Sequence, residues 1–164
     1  MEDAGGPGVR KLKGIIAQMF LGQDHHNLDD KGRLMIPARY REQLVGGAFI
    51  TQGWDRCLMI MTSEYFMEFY RRLMEMNMAD PTIRLLRRQM LSNAAAVEID
   101  KVGRILMPAS LREIFNLQGE VILVGQGEYF ELWSASDWAA TLAQLQDTDT
   151  TSQRYAALDL RTHI

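Results

Sequence analysis

The chain has 164 residues, a formal net charge of −3 at pH 7 and 47% hydrophobic residues. The composition is that of an ordinary globular protein, and the negative net charge excludes a uniformly basic surface. No stretch approaches the roughly eighteen apolar residues of a membrane span, no signal peptide is visible, and the one cysteine cannot form an internal disulfide. We therefore expect a cytoplasmic protein with no membrane partner.

The first segment, residues 1–18, is rich in glycine and only weakly periodic. It predicts a disordered leader or an upstream extension, because Met19 opens a compact segment suited to a first strand. Three basic residues, Arg10, Lys11 and Lys13, could touch phosphate, but a mobile tail is the better explanation of them.

The central feature is an internal repeat. Residues 29–42 (DDKGRLMIPARYRE) return as residues 100–113 (DKVGRILMPASLRE), with seven identical positions and the spacing D-x-x-x-R-x-x-x-P-A-x-x-R kept without a gap. Such a match in register indicates two copies of one small unit. Since four strands and one short helix bury too little apolar surface alone, the copies should pair about a pseudo-two-fold axis and share one core.

Each copy predicts the same order of elements: strand, turn, strand, short helix, strand, turn, strand and a longer helix. The glycine of the first turn, Gly32 or Gly103, supplies the positive φ that a tight hairpin requires. A short apolar run then predicts a strand, and the following Pro37 or Pro108 can begin a helix. The first repeat is assigned to residues 19–62, and the second, with its C-terminal helix, to residues 97–146.

The connection between the copies, residues 63–96, predicts two amphipathic helices that begin at Ser63 and at Asp80. Ser134 begins the last helix in capping-box form, and residues 147–164 lose periodicity and predict a flexible tail. Residues 65–78 hold more aromatic and methionine side chains than one small core needs, which favours a subunit interface over simple exposure. The arginines of residues 84–88 are crowded and need negative partners, with carboxylates of a neighbouring subunit preferred to phosphate.

Cations recur at both predicted turn tips. They are Lys31 and Arg33 in the first copy and Lys101 and Arg104 in the second. A two-stranded ribbon fits the major groove of DNA, where arginine pairs with guanine. Asp29 and Asp100 can initiate the turns and orient the arginines, each four residues later. A lone D-x-x-x-R is more typical of a surface salt bridge, but its recurrence in register favours DNA contact. Arg41 and Arg112, late in the short helices, suit the helix dipole and are interpreted as structural.

These motifs resemble the MraZ family of bacterial transcriptional regulators. The resemblance rests on MFLG and NLDDKGRLMIPARYRE in the first half and on EIDKVGRILMPASLRE and VGQGEYFELW in the second, and it spans residues 19–145. It implies an α+β fold in which two tandem swapped-hairpin units, similar to AbrB-like and MazE-like domains, form one pseudo-two-fold, β-barrel-like core with peripheral helices.

The resemblance also implies function. Members of the family form ring-shaped oligomers, typically octamers, and bind short direct repeats upstream of their own cell-division and cell-wall gene cluster, which they usually repress. The expected partners are therefore double-stranded DNA at the nucleoid and further copies of the chain. Carried onto this sequence, DNA contact would pass mainly to Arg33 and Arg104, with Lys31 and Lys101 beside them.

Other classes of function find less support. Adjacent His25 and His26 face opposite sides of a strand, His163 lies in the tail, and Cys57 has no histidine nearby in sequence. The segment Gly125-Gln126-Gly127 lacks the third glycine of a dinucleotide loop. We therefore expect no enzyme, metal or cofactor. An antitoxin-like module that binds a protein and a purely structural ring stay open, and salt-dependent DNA binding separates regulation from both.

Overall fold

The computed structural model describes residues 7–158, which form a mixed α+β fold. The strands of this part are β1 (Gln23–Asn27), β2 (Arg33–Met35), β3 (Ala48–Gln52), β4 (Leu58–Thr62), β5 (Ala95–Val97), β6 (Arg104–Leu106), β7 (Glu120–Gly125) and β8 (Phe130–Ser134). The helices are α1 (Pro7–Ile16), α2 (Ala38–Arg41), α3 (Ser63–Glu75), α4 (Pro81–Leu91), α5 (Ala109–Ile114), α6 (Ala135–Gln146) and α7 (Thr148–Tyr155). The order of elements predicted for each copy is present in both.

The two copies exchange strands. An antiparallel sheet has the order β1-β7-β8-β4-β3-β5. The first strand of each copy, β1 or β5, therefore lies at an edge of the sheet and pairs with a strand of the other copy. The second strands, β2 and β6, pair only with each other and form a separate antiparallel ribbon. If each strand is replaced by its equivalent in the other copy, the strand order of the sheet is the same order read in reverse. The predicted pseudo-two-fold arrangement therefore agrees with the observed strand order.

The predicted barrel-like closure is wrong, because the six-stranded sheet is open and has β1 and β5 at its two edges. From each edge strand the chain continues into the ribbon. The inward side chains of the ribbon, Leu34 and Ile105, are fully buried in the central core cluster. The ribbon thus packs across one face of the sheet instead of extending its ladder.

The core lies on both faces of the sheet, since alternate strand residues point to opposite sides. On the ribbon side, Leu58 and Ile60 of β4 join Leu123 of β7 in a cluster built from both copies. On the other side, Met59 and Met61 pack under α3 and α4. That side also carries a smaller cluster of β7, β8 and α6, which contains the Trp133 and Trp138 rings. The shared core agrees with the expectation that neither copy is stable alone.

The longer helices begin at side-chain caps. The α3 cap is Thr62 rather than Ser63, because Thr62 ends β4 in an extended conformation and its hydroxyl accepts from the Tyr65 N–H at 3.1 Å. Asp80 accepts from the Thr82 N–H, and Ser134 from the Asp137 N–H, as the sequence predicts. These caps satisfy backbone donors that the first turn of a helix leaves unpaired.

The two ends of the described chain are helical where disorder was predicted. Pro7–Ile16 forms α1 within the predicted disordered leader, and Thr148–Tyr155 forms α7 within the predicted flexible tail. Asp147 caps α7 by accepting from the Thr150 N–H at 3.3 Å. Residues 1–6 and 159–164, with His163, lie outside the described residues. Across residues 7–158, no helix is both long and apolar enough to cross a membrane.

Candidate nucleic-acid interface

The repeated turns have the same backbone geometry. The Asp29 N–H donates to the Arg33 carbonyl at 3.1 Å and the Gly32 N–H donates to the Asp29 carbonyl at 2.9 Å. The second turn repeats both bonds between the equivalent residues, at 2.8 and 3.1 Å. Gly32 has φ 76° and Gly103 has φ 91°, so both adopt the positive φ expected of them.

Each aspartate clamps its turn and its arginine together. One carboxylate oxygen of Asp29 accepts from the backbone N–H groups of Lys31 and Arg33, and the other accepts from the Arg33 Nε at 2.6 Å. Asp100 does the same with Val102 and Arg104. The backbone hydrogen bonds from Arg33 and Arg104 are the largest cause that lowers the pKa of the two carboxyl groups. The carboxylates therefore stay charged and hold the guanidinium groups by Nε.

The arginines lie on one face of the ribbon although the two turns lie at its opposite ends. In the antiparallel register Arg33 is opposite Leu106, and Met35 is opposite Arg104. Because Leu34 and Ile105 between them point into the core, these four side chains point outward. We call Arg33, Met35, Arg104 and Leu106 the outer ribbon face. Its arginine side chains are 32% and 29% exposed, and Leu106 is 60% exposed.

The lysines are less symmetric than the arginines. Lys31 and Lys101 are both exposed, but they occupy different turn positions. The N–H of Lys31 bonds to the first aspartate, whereas Val102 makes that bond in the second turn. Lys101 instead corresponds to Asp30 of the first copy. Only the Asp, Gly and Arg of the turns are therefore equivalent, and the first turn has no lysine at the position of Lys101.

Arg41 and Arg112 support the turns of the opposite copy. A Cβ built on Gly103 would lie 2.5 Å from the Arg41 guanidinium, and one built on Gly32 would lie 2.5 Å from that of Arg112. Arg41 Nε donates to the Ile36 carbonyl at 2.8 Å. This geometry agrees with a structural role for both arginines. In the sequence, glycine and arginine keep the same nine-residue separation in both copies. That repeat marks the two residue types, but it does not predict that they meet across the copies.

Other cations near the motifs are engaged inside the chain. Arg39 forms an ion pair with Asp24 and stacks over the Tyr40 ring at 4.6 Å. Arg84 and Arg87 donate to carbonyl groups at and just beyond the end of α3, which are different acceptors from the carboxylates of a neighbouring subunit that the sequence favours. Arg33 and Arg104 differ, because their terminal nitrogens donate no hydrogen bond within residues 7–158.

The residues considered for other chemistry are dispersed. His25 Nδ1 lies 2.9 Å from Glu120 Oε1, and no group of three or more His, Cys, Asp or Glu suited to a metal occurs among the described residues. Cys57 is buried, and its burial, with the nearby Glu131 carboxylate, raises the pKa of the thiol to about 12. Such a thiol is a poor nucleophile at neutral pH.

Comparison with known proteins confirms the resemblance. A family model described as "MraZ protein, putative antitoxin-like" matches residues 19–89 and again residues 90–161. A protein of Thermomicrobium roseum named "Transcriptional regulator MraZ" is 40% identical over 141 residues, covering 85% of this chain and 99% of its own. Proteins of the same name from Moorella thermoacetica and Nitrosomonas eutropha are 39% and 44% identical, covering 85% and 73% of this chain and 94% and 84% of their own.

Proposed function

The chain belongs to the MraZ family, and we propose that it is a DNA-binding transcription regulator whose outer ribbon face enters the major groove. The observation that carries the proposal is the pair of clamped arginines on one exposed face. A two-stranded ribbon is narrow enough for the major groove. The clamps fix each guanidinium by Nε and leave its terminal nitrogens available for an acceptor.

The four side chains of the outer ribbon face suit base edges rather than phosphate alone. Arg33 and Arg104 can each donate two hydrogen bonds to guanine O6 and N7. Met35 and Leu106 are exposed and occupy the other two corners of the face, each opposite one of the arginines. Apolar side chains in the major groove contact the thymine methyl group. Lys31 and Lys101 flank the face and supply phosphate contacts. The proposed target therefore places guanines beside thymines.

We extend the proposal to assembly on repeated sites. One ribbon offers few cations and the net charge is negative, so a single chain should bind weakly, whereas linked copies gain avidity. The helical connection supplies surface for such linkage, since Met67, Tyr70, Met76, Met78 and Leu85 are exposed. Tyr65 and Met74 instead pack against the core cluster beneath them. A ring oligomer on direct repeats, repressing its own cell-division and cell-wall gene cluster, follows from the resemblance and is proposed here as the working model.

The test is footprinting and gel-shift titration on the DNA upstream of the gene. Arg33→Ala and Arg104→Ala should each weaken specific binding by about 1–3 kcal/mol per lost base contact, with unchanged thermal melting. Arg56→Ala is the matched control, since Arg56 is an exposed arginine that pairs with Asp137 and lies outside both the ribbon and the helical connection. Lys31→Gln should mainly make the DNA affinity less dependent on salt concentration, by about the amount expected for the loss of one phosphate contact. Unchanged affinity in both ribbon variants would contradict the proposal.

The family description also favours a second candidate, an antitoxin-like module that binds a protein. The same titrations discriminate the two. Regulation requires an affinity for the upstream DNA that falls steeply with salt, because phosphate contacts release counterions. A protein-binding module without DNA contact would show no specific footprint at any salt concentration.

A further inference from the structure

The two turns of the ribbon share one backbone geometry but differ at their tips. The tip residues are Asp30 and Lys31 in the first turn and Lys101 and Val102 in the second. All four are exposed, and they stand at the two ends of the outer ribbon face. Asp30 holds the position that Lys101 holds in the second turn. The ends of the ribbon therefore carry opposite charges at equivalent points.

Asp30 has no structural task within its turn. Asp29 makes the hydrogen bonds that hold the turn together and orient Arg33. The carboxylate of Asp30 forms no hydrogen bond or ion pair within residues 7–158. It is therefore available to a partner outside the chain, at one end of the surface proposed to enter the major groove.

The outer ribbon face by itself does not define a direction on DNA. Exchange of the two copies replaces Arg33 by Arg104 and Met35 by Leu106, so each side chain is replaced by one of the same kind. A ribbon with only these four side chains could lie on a site in either direction with similar contacts. The tips are the part of the ribbon that can distinguish the two directions.

Phosphate contacts cannot make this distinction. The two strands of DNA run antiparallel, so they present the same arrangement of phosphates to a ribbon that lies in either direction, and phosphates carry no sequence information. A carboxylate near them is repelled equally in both directions. A base edge that donates a hydrogen bond can offset this repulsion, and it does so in only one of the two directions.

We infer that Asp30 accepts a hydrogen bond from the exocyclic amino group of a cytosine and thereby fixes the direction in which each chain lies on its site. The inference rests on the proposed function and adds a specificity-determining residue to it. In the major groove, the N4 amino group of cytosine is the donor that aspartate recognises. Lys101 has only donors, so it cannot replace Asp30 opposite that amino group when the ribbon is reversed.

The first test is gel-shift titration of the full-length protein on single base-pair replacements across the footprinted site. At one end of the site, replacing a C·G pair by T·A should weaken wild-type binding by about tenfold or more, because an acceptor takes the place of the amino donor. Asp30→Ala should bind the two sequences equally. It should also bind unrelated DNA more tightly, because a carboxylate near phosphate has been removed.

Asp55→Ala is the matched control for the first test. Asp55 is an exposed aspartate on the turn between β3 and β4, outside the ribbon, and its removal changes the net charge by the same amount. This variant should keep the wild-type preference for C·G over T·A. Both variants should keep the wild-type melting temperature, since Asp30 makes no contact within the described residues.

The second test determines the direction of binding. An iron chelate that cleaves DNA is attached to Val102→Cys, while Cys57 stays unlabelled because it is buried. On a short duplex that holds one site, cleavage should occur mainly on one flank. Adding Asp30→Lys gives both ends the same charge at the equivalent point, so cleavage should then become similar on the two flanks.

The outcomes separate this inference from the proposed function. If the wild-type protein leaves no footprint, both are overturned together. If a footprint is present, the inference alone is overturned by any of three results. They are the absence of a base pair whose penalty disappears in Asp30→Ala, an equal gain in affinity of Asp30→Ala for every sequence, and equal cleavage on both flanks by labelled Val102→Cys. The second result would show that Asp30 only repels phosphate.

Discussion

The contact between Gly32 and Arg112 allows a sharp test of why the repeated turns contain glycine. In Gly32→Ala the new Cβ would meet the Arg112 guanidinium at 2.5 Å, and the residue would have to keep φ 76°. The φ strain alone costs about 1–2 kcal/mol for an L-residue. Displacing the guanidinium also weakens the bond from Arg112 Nε to the Met107 carbonyl, 3.2 Å long, which adds about 1–3 kcal/mol for a charged donor.

Gly127 provides the matched control for the strain. It has φ 83°, close to that of Gly32, but a Cβ there would meet nothing within 4 Å. Gly127→Ala should therefore cost only the strain. The excess cost of Gly32→Ala should be about 1–3 kcal/mol, equivalent to a melting temperature lower by about 2–12 °C for a chain of this size. Urea denaturation and calorimetry measure both quantities.

Removal of the arginine completes the test. In an Arg112→Ala background the guanidinium is absent, so adding Gly32→Ala should cost no more than Gly127→Ala does in the wild type. This rescue is a coupling between neighbouring residues, which a double-mutant cycle measures directly. The reasoning is refuted if Gly32→Ala costs no more than Gly127→Ala, or if its cost is the same with and without Arg112.

Three further predictions concern the ribbon and the buried groups. Replacing thymine by uracil in the operator removes the methyl group and should weaken DNA binding by the wild-type protein. The same replacement should not change DNA binding by Met35→Ala/Leu106→Ala. An equal loss of affinity in both proteins would contradict methyl contact by the outer ribbon face. Glu131 accepts a hydrogen bond from Trp133 Nε1 at 2.9 Å, and its burial raises the pKa of its carboxyl group. The folded state therefore binds the proton more tightly than the unfolded state does. As a result, the free energy of unfolding falls as pH rises above the ordinary glutamate pKa. Glu131→Gln should therefore stabilise the protein more at pH 7 than at pH 4 in urea denaturation, and a gap independent of pH would exclude this linkage. Cys57, with a pKa of about 12, should resist iodoacetamide at pH 8 until urea unfolds the protein; rapid labelling of the folded protein would show that the thiol is accessible.

The features that could be predicted from the sequence are those decided within a few residues. Aspartate, glycine and arginine lie inside one turn, so the positive φ of Gly32 and Gly103 and the clamp of Arg33 by Asp29 follow from local chemistry. The caps at Asp80 and Ser134 are local for the same reason. Helix α1 also forms within a few consecutive residues. Its glycines interrupt the apolar spacing, however, so the sequence predicts disorder there instead of a helix.

The tertiary structure decided what joins the two copies. Which strand pairs with which depends on contacts between residues 69 to 101 positions apart, and local spacing carries no information about them. Burial of Leu34 against Ile105 sets the ribbon register, and that register alone puts Arg33 and Arg104 on one face. The packing of Arg112 over Gly32 likewise needs the exchanged fold. The repeat in the sequence thus determined the parts of the candidate site, while core burial between the copies determined their arrangement.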